Sequence, residues 1–229
     1  MIDVVIPAHT KDFRTLRHSI RGVLRYVSPL RRVVVVSATP YETRDERVIW
    51  VPEPDSGTLP SLEAVHSDWE SRSADATPRA AWIYQQLLKL GAATYIEDLT
   101  PRFLVIDADV IFLRPVSFDA DQGRFLYSRA TEYHPAYNES FRRLFQSEPP
   151  SGHSFTAHHM LYDRDLLEEL FAEIEQSHEE SWFWAYVHAA DPAESSAINE
   201  QDMFGLWMLS RHPELSRHRQ LFWRDVQFL

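Results

Sequence analysis

Apolar residues in the first half of the chain follow two alternating patterns. Three short runs rich in β-branched residues predict strands over 2–6, 33–37 and 47–51, the first of them buried. After the first run, Asp12 is a candidate N-cap for a helix whose apolar residues recur at helical spacing, namely Phe13, Leu16, Ile20, Val23 and Leu24. This alternation of strands and helices predicts an α/β fold with a mixed, mostly parallel central sheet flanked by helices.

The pattern is less regular further along the chain. Pro, Ser, Glu, Asp and Gly dominate from 52 to 79, which predicts a long surface excursion, either a lid over a ligand or a disordered segment. Helical spacing returns over 79–96. The remaining predicted elements are strands over 124–128 and 154–162, a loop into a helix over 133–145, and helices over 163–176 and from Asn199 onward.

The most informative stretch is RFLVIDADVIFLRP, from 102 to 115. Its apolar run over 103–106 predicts a strand that is buried on both faces. Asp107 and Asp109 follow at the carboxyl end of this strand, where open α/β sheets bind their ligands. Carboxylates near a core need a cationic partner, and oxygen ligands favour Mg²⁺ or Mn²⁺. The pair therefore predicts a metal site; the alternative is that both aspartates only cap a turn.

The segment LVIDADVIFLRP resembles the D-x-D segment of glycosyltransferases with the GT-A fold, in which the aspartates hold a divalent metal on the diphosphate of a nucleotide-sugar. Four segments, VVIPAHTKDF, YQQLLKL, VIDADVIFLRP and SFTAHHMLYDR, resemble in this order the bacterial glycosyltransferase-like family called domain of unknown function 6492. The resemblance covers 2–165 well and the remainder more loosely. It implies one GT-A-like domain over 1–229, with a nucleotide-sugar-binding half (1–115) and an acceptor half (116–229).

The resemblance also implies an activity. The expected reaction is metal-dependent transfer of a sugar from a nucleotide-sugar, a UDP- or GDP-sugar, to a hydroxyl of a bacterial glycan or glycolipid. The expected cofactor is Mn²⁺ or Mg²⁺. One alternative is a catalytically silent protein of the same fold that binds a partner. The other is a nucleotidyltransferase, although PAHTKDF lacks the glycines that such enzymes typically carry after the first strand.

Donor-binding residues are implied by two of the matching segments. In the loop after the first strand, the expected nucleoside contacts are Pro7, Thr10 and Lys11; the alternative there is an ordinary connection between a strand and a helix. On the helix before the D-x-D strand, Gln86 and Lys89 are expected to contact the donor, with Lys89 on the diphosphate and Asp107 beside it. The alternative for this helix is a solvated face, since residues four apart lie on one side of a helix.

Two carboxylates near the predicted start of the last helix are candidate catalytic groups. Glu200 and Asp202 fall in the first turn, where acidic side chains also favour the helix dipole. Sugar transfer with inversion needs a general base near the acceptor hydroxyl, and a carboxylate suits that role. Glu200-Gln201-Asp202 also resembles the D-Q-D segment of retaining enzymes of the glycogenin type. Inversion with Asp202 or Glu200 as the base is preferred, and retention stays open.

Three further residues are expected near the acceptor or the metal. Side chains alternate along a strand, so His158 and His159 should face opposite ways, and His158 is expected at the acceptor. Trp182 lies in the aromatic segment 181–190 and is a candidate sugar-stacking residue, with core or dimer contacts as alternatives. His218 is a candidate third metal ligand, since GT-A proteins draw one from near the C-terminus.

Composition narrows the classes of partner. The chain of 229 residues has a formal charge of −11, which argues against a nucleic-acid surface, and it has no cysteine, which excludes disulfides and thiolate ligands. No run approaches the ~20 apolar residues of a membrane span. The expected location is the cytoplasm, with peripheral attachment to the inner face of the membrane and a homodimer left open.

Overall fold

The residues that the computed structural model describes, 1–118, 124–222 and 224, form a central sheet of five strands. Their spatial order is β3 (Val48–Val51), β2 (Leu30–Val36), β1 (Ile2–Pro7), β4 (Arg102–Ile106) and β6 (His159–Asp163). The first four strands in this order pair in parallel, and β6 is antiparallel to β4. The predicted α/β fold with a mixed, mostly parallel sheet is confirmed.

Eight α-helices lie in the described residues, and some of them contact this sheet. They are α1 (Phe13–Tyr26), α2 (Leu62–Ser71), α3 (Ala80–Leu90), α4 (Ala92–Tyr95), α5 (Pro135–Phe145), α6 (Arg164–His178), α7 (Trp182–Ala189) and α8 (Glu200–Arg211). Strand β2 contacts α1, β1 contacts α3, and β6 contacts α6. Across the described part of the chain, no helix combines the length and apolar character needed to cross a membrane.

The prediction of an irregular excursion over 52–79 is wrong in its middle. Helix α2 lies inside this stretch, and the side chain of Ser61 caps it by accepting a hydrogen bond from a backbone N–H of the first turn. Val65 and Trp69 are buried one turn apart, and the indole N–H of Trp69 donates to the carbonyl of Thr77 at 2.8 Å. One buried helical face is enough to order the segment, although most of its other residues are polar.

Two other elements have different bounds from those predicted, and one strand was not predicted. The helix expected over 79–96 divides at Gly91, a residue of low helix propensity, into α3 and α4. The strand expected over 154–162 begins only at His159, because backbone N–H groups before it bind side chains of α8 instead of a strand. A second, two-stranded parallel sheet pairs β5 (Phe125–Ser128) with β7 (Ser216–Arg219), and the polar sequence of β7 gave no strand signal.

The sheet brings three chain segments to one edge. The carboxyl ends of the parallel strands β1 and β4 meet there, and the amino end of the antiparallel β6 joins them. The hydroxyl of Ser19 on α1 donates to the carbonyl of Ala108 at 2.7 Å, which fixes the chain between Asp107 and Asp109 against this helix. The two aspartates therefore lie at the edge where α/β sheets bind their ligands.

Gly22 lets the chain that follows the two aspartates pass close to α1. An added Cβ at Gly22 would lie 2.8 Å from the carbonyl oxygen and 2.9 Å from the amide nitrogen of Phe112. Backbone atoms cannot rotate away, so we expect Gly22→Ala to lower the free energy of unfolding in urea by about 1–3 kcal/mol, despite the better helix propensity of alanine.

Gly57→Ala is the matched control for this prediction. The nearest atom to an added Cβ at Gly57 is a carboxylate oxygen of the exposed Asp55 side chain, at 3.3 Å, and this side chain can move. The control variant should stay within about 0.5 kcal/mol of the parent protein. Equal losses in the two variants would contradict close packing of 108–112 on α1.

Candidate active site

A buried lysine joins the D-x-D segment to the last helix. The Nζ atom of Lys89, on α3, lies 2.5 Å from Oδ1 of Asp107 and 2.8 Å from Oε1 of Glu200. The side chains of Lys89 and Glu200 are 4% and 1% exposed, whereas that of Asp107 is 21% exposed. One cation thus lies between a carboxylate at the end of β4 and a carboxylate at the start of α8.

Each charged group of this cluster stabilises the charged form of its neighbour. Burial alone would lower the pKa of Lys89, but the carboxylates of Asp107 and Glu200 outweigh it and raise the pKa above its usual range. Burial would likewise raise the pKa of Asp107, but Lys89 and His158 outweigh it and lower that pKa. Lys89 is therefore cationic and Asp107 anionic at neutral pH.

His158 holds the second oxygen of the Asp107 carboxylate. Its ring Nδ1 lies 3.1 Å from Oδ2 of Asp107, and its carbonyl accepts a hydrogen bond from the Asp107 N–H at 3.1 Å. His158 has a φ of 59°, in the left-handed region that few residues other than glycine adopt. The hydrogen bond to Asp107 raises the pKa of His158. His159 points elsewhere, and its Nε2 lies 2.9 Å from the hydroxyl of Ser128.

The N–H groups of the first three residues of α8, which have no partner within the helix, each donate to a polar side chain. The side chain of Asn199 caps the helix by accepting from the N–H groups of Gln201 and Asp202 at 3.0 and 2.8 Å. The N–H of Glu200 donates to Oε1 of Gln86, at 2.9 Å, and this oxygen also accepts from the hydroxyl of Tyr186 at 2.5 Å. Gln86 is therefore part of the site, as a buried acceptor that positions Glu200.

The same turn of α8 holds the segment that leads to His158. Oδ1 of Asp202 accepts from the N–H of Phe155 at 2.5 Å, and Oε1 of Gln201 accepts from the N–H of Ala157 at 3.0 Å. The side chains of α8 thus reach Asp107 by two routes, one through Lys89 and one through the segment that ends at His158. Gln201 was not predicted as a site residue, and no spacing in the sequence relates it to Ala157.

Asp202 has an unusual electrostatic environment. Burial raises the pKa of its carboxyl group to about 6, although the hydrogen bond from the Phe155 N–H opposes this rise. A carboxylate with a pKa near 6 can accept a proton at neutral pH more readily than an exposed one. This property makes Asp202 better suited than an ordinary aspartate to act as a general base.

The predicted metal ligands do not by themselves complete a metal site in the described part of the chain. Asp109 is exposed, whereas both carboxylate oxygens of Asp107 already have partners in Lys89 and His158. Within residues 1–118, 124–222 and 224, no group of three or more His, Cys, Asp or Glu side chains is arranged to hold a metal ion. Two carboxylates still fit a Mg²⁺ or Mn²⁺ ion whose remaining ligands are phosphates and water, because proteins commonly bind Mg²⁺ in that way.

Other predicted site residues take no part in the hydrogen bonds and ion pairs of this cluster. Thr10 and Lys11 are exposed in a short 3₁₀ helix after β1, while Pro7 is the buried last residue of that strand. His218 lies on β7, with its ring centroid 5.5 Å from those of His153 and Phe155. The structure thus groups His218 with these two rings.

Trp182 lies in the helical core, which is the alternative that the sequence left open for it. Its side chain is buried, and its ring stacks on Phe171 of α6 with the centroids 4.0 Å apart. The Phe183 ring meets it edge to face. A sugar ring could not stack on the face that Phe171 covers, so the structure corrects the prediction of a sugar-stacking role.

The acidic pair Asp107 and Asp109 thus follows β4, an interior strand of a mixed, mostly parallel sheet. The chain belongs to DUF6492, a family of unknown function, whose model matches residues 4–197. No curated protein matches the sequence.

Solved structures with a similar fold include glycosyltransferases. The apo form of mouse xyloside xylosyltransferase 1 is 14% identical, with 95% of this chain and 85% of that chain covered and a TM-score of 0.47. An active-site mutant of LgtC is 16% identical, with 79% and 65% covered and a TM-score of 0.49. The galactosyltransferase LgtC with donor and acceptor sugar analogues is 14% identical, with 82% and 70% covered and a TM-score of 0.44. At these identities and TM-scores the likenesses do not define an activity for this chain.

Proposed function

We propose that the protein is a metal-dependent glycosyltransferase that moves a sugar from a nucleotide-sugar to a hydroxyl of a glycan or glycolipid. The observation that carries this proposal is the ion-paired series from Asp107 through Lys89 to Glu200. It joins the predicted donor-binding segment to the helix that carries the predicted general base. A transferase needs these two parts at a fixed separation, because the acceptor oxygen must approach the reacting carbon of the donor.

On the donor side, Asp107 and Asp109 would hold Mn²⁺ or Mg²⁺, which would supply positive charge that stabilises the departing diphosphate. The exposed Thr10 and Lys11 lie after β1, at the same edge of the sheet, and would bind the nucleoside or its phosphates. The buried ammonium of Lys89 has a different task in this proposal. It holds the Asp107 carboxylate in one orientation and keeps it ionised.

On the acceptor side, the arrangement favours Asp202 over Glu200 as the general base. Glu200 accepts hydrogen bonds from Lys89 and from the side-chain amide of Gln201, so its Oε1 is occupied. Burial raises the carboxyl pKa of Asp202 to about 6, although hydrogen bonds from the Phe155 N–H and the Ser154 side chain oppose the rise. Asp202 would take the proton of the acceptor hydroxyl as the sugar is transferred with inversion.

The donor site can be tested by titration calorimetry. We expect wild-type protein to bind a UDP- or GDP-sugar more tightly with Mn²⁺ present. Asp109→Asn should lose more than about tenfold of that metal-dependent affinity, because a direct carboxylate ligand is lost and even the residues that only orient such ligands contribute about 10–100-fold. Asp165→Asn is the matched control, since Asp165 is exposed at the start of α6. Unchanged binding in Asp109→Asn would remove the metal site from the proposal.

One observation favours a second function, a catalytically silent binding protein of the same fold. Both oxygens of Asp107 are occupied by protein side chains, and such pairing can stabilise a fold without any metal. A hydrolysis assay across UDP-, GDP- and CMP-sugars separates the two functions. Slow, metal-dependent release of the nucleotide supports the enzyme, whereas donor binding without release supports the silent protein.

A further inference from the structure

Four arginines project from one exposed face of α1. Spaced by three or four residues, they are Arg14, Arg17, Arg21 and Arg25, here called the basic face. The buried residues of α1, among them Leu16 and Val23, lie on the opposite side of the helix. At a rise of 1.5 Å per residue, the basic face is about 16 Å long. It is a continuous cationic strip on a protein whose formal charge is −11.

The basic face lacks the ion pairs that several arginines elsewhere in the chain form. Arg31, Arg47, Arg142 and Arg211 each form an ion pair with a nearby carboxylate. None of the four arginines of the basic face has an ion pair with an acidic side chain of the described residues, and α1 contains no acidic residue. Uncompensated cations in an acidic protein form a local surface that attracts anions.

An exposed apolar side chain follows the segment that packs on α1. The backbone of Phe112 packs against Gly22 of α1, which places the next residues, Leu113 and Arg114, next to this helix. Leu113 is 79% exposed, and Arg114 is also exposed. An exposed leucine close to cationic side chains is typical of surfaces that bind the boundary between lipid headgroups and acyl chains.

From these contacts we infer that the basic face, together with Leu113 and Arg114, docks on the anionic surface of a lipid bilayer. The arginines would lie among anionic headgroups, and Leu113 would enter the acyl boundary. A nucleic acid would also attract the arginines, but it offers no apolar layer for Leu113. The inference does not rest on the proposed transferase activity. Docking in this orientation would bring the start of α1 close to the membrane, together with the edge of the sheet that carries Asp107.

Vesicle sedimentation tests this inference. We expect the wild-type protein to sediment with phosphatidylcholine vesicles that contain phosphatidylglycerol at low salt, and not with phosphatidylcholine alone. Each arginine near an anionic surface contributes to the free energy of binding. Removing two of them, in the double variant Arg17→Gln with Arg21→Gln, should therefore weaken vesicle binding about thirtyfold. Salt at about 0.5 M should also release the wild-type protein, because it screens charges over a few ångströms.

The matched control removes the same number of charges elsewhere. Arg47→Gln with Arg142→Gln changes two exposed, ion-paired arginines outside α1 and should bind vesicles like the wild type. Failure of the wild type to bind at low salt, or equal losses in the two double variants, would overturn the inference. Self-association that Arg17→Gln with Arg21→Gln abolishes, without vesicle binding, would also overturn it and would assign the basic face to a second copy. Donor binding by calorimetry is read separately and should be unchanged in both double variants.

Discussion

Replacing Lys89 with methionine should lower the free energy of unfolding by about 3–5 kcal/mol, the usual cost of removing one partner of a buried ion pair. Methionine fills a similar volume, so the loss should come from charge and not from a cavity. The variant leaves Asp107 and Glu200 facing each other without the cation between them, and Glu200 is 1% exposed. Urea denaturation at pH 7.5 measures the change.

The size of this loss should depend on pH. In the wild type, the pKa of Asp107 is lowered, so its contribution to stability is fully present above the unfolded pKa of about 4 and is lost as the pH falls through the folded value. Without Lys89, burial should instead raise the pKa of Asp107, and protonation then relieves the repulsion. The difference between the two proteins should therefore be largest at pH 7–8 and shrink toward pH 4–5.

Two further variants control this prediction. Lys11→Met makes the same substitution at an exposed lysine and should change stability by less than about 0.5 kcal/mol. Glu200→Gln combined with Lys89→Met removes one of the two stranded charges and should recover part of the loss. A loss below about 1 kcal/mol for Lys89→Met, with no dependence on pH, would show that the lysine does not stabilise the cluster.

The sequence predicted the part of the fold that depends on local pattern. The apolar runs at β1, β2, β3 and β4 form strands because each run is short and rich in β-branched residues, although only Val48 is buried in the edge strand β3. The helix α2 was missed because only Val65 and Trp69 form its buried face, and polar composition hides so small a signal. The strand β7 was missed because it pairs with only one neighbour and carries polar residues.

The candidate site shows the limit of local pattern more clearly. Lys89 and Glu200 were each singled out, but their contact joins residues 111 positions apart, and no spacing in the sequence encodes it. The burial of Gln86 and Lys89 could have been predicted. The neighbouring residues of α3 are apolar on nearly all sides, so the alternative of a solvated helix face is wrong. Their roles toward a donor stay predictions.

Replacing Asp202 with asparagine should lower the rate of sugar transfer by about 10²–10⁴-fold, the range that general acid–base catalysis supplies. The amide oxygen of asparagine can still accept the hydrogen bond from the Phe155 N–H that Oδ1 of Asp202 accepts at 2.5 Å. The substitution therefore keeps the segment that leads to His158 in place and removes only the ability to take a proton. Activity would be followed with the donor that calorimetry identifies.

The pH profile separates a base at Asp202 from a structural role. With a pKa of about 6, the wild-type carboxylate becomes protonated as the pH falls below that value, so kcat/KM should drop about tenfold for each further pH unit. Asp202→Asn should lack this acid limb, because asparagine does not titrate. Glu200→Gln should keep it, since that change leaves Asp202 intact. An acid limb that persists in Asp202→Asn would assign the proton transfer to another group, and Glu200 would then be the next residue to test because it lies in the same turn of α8.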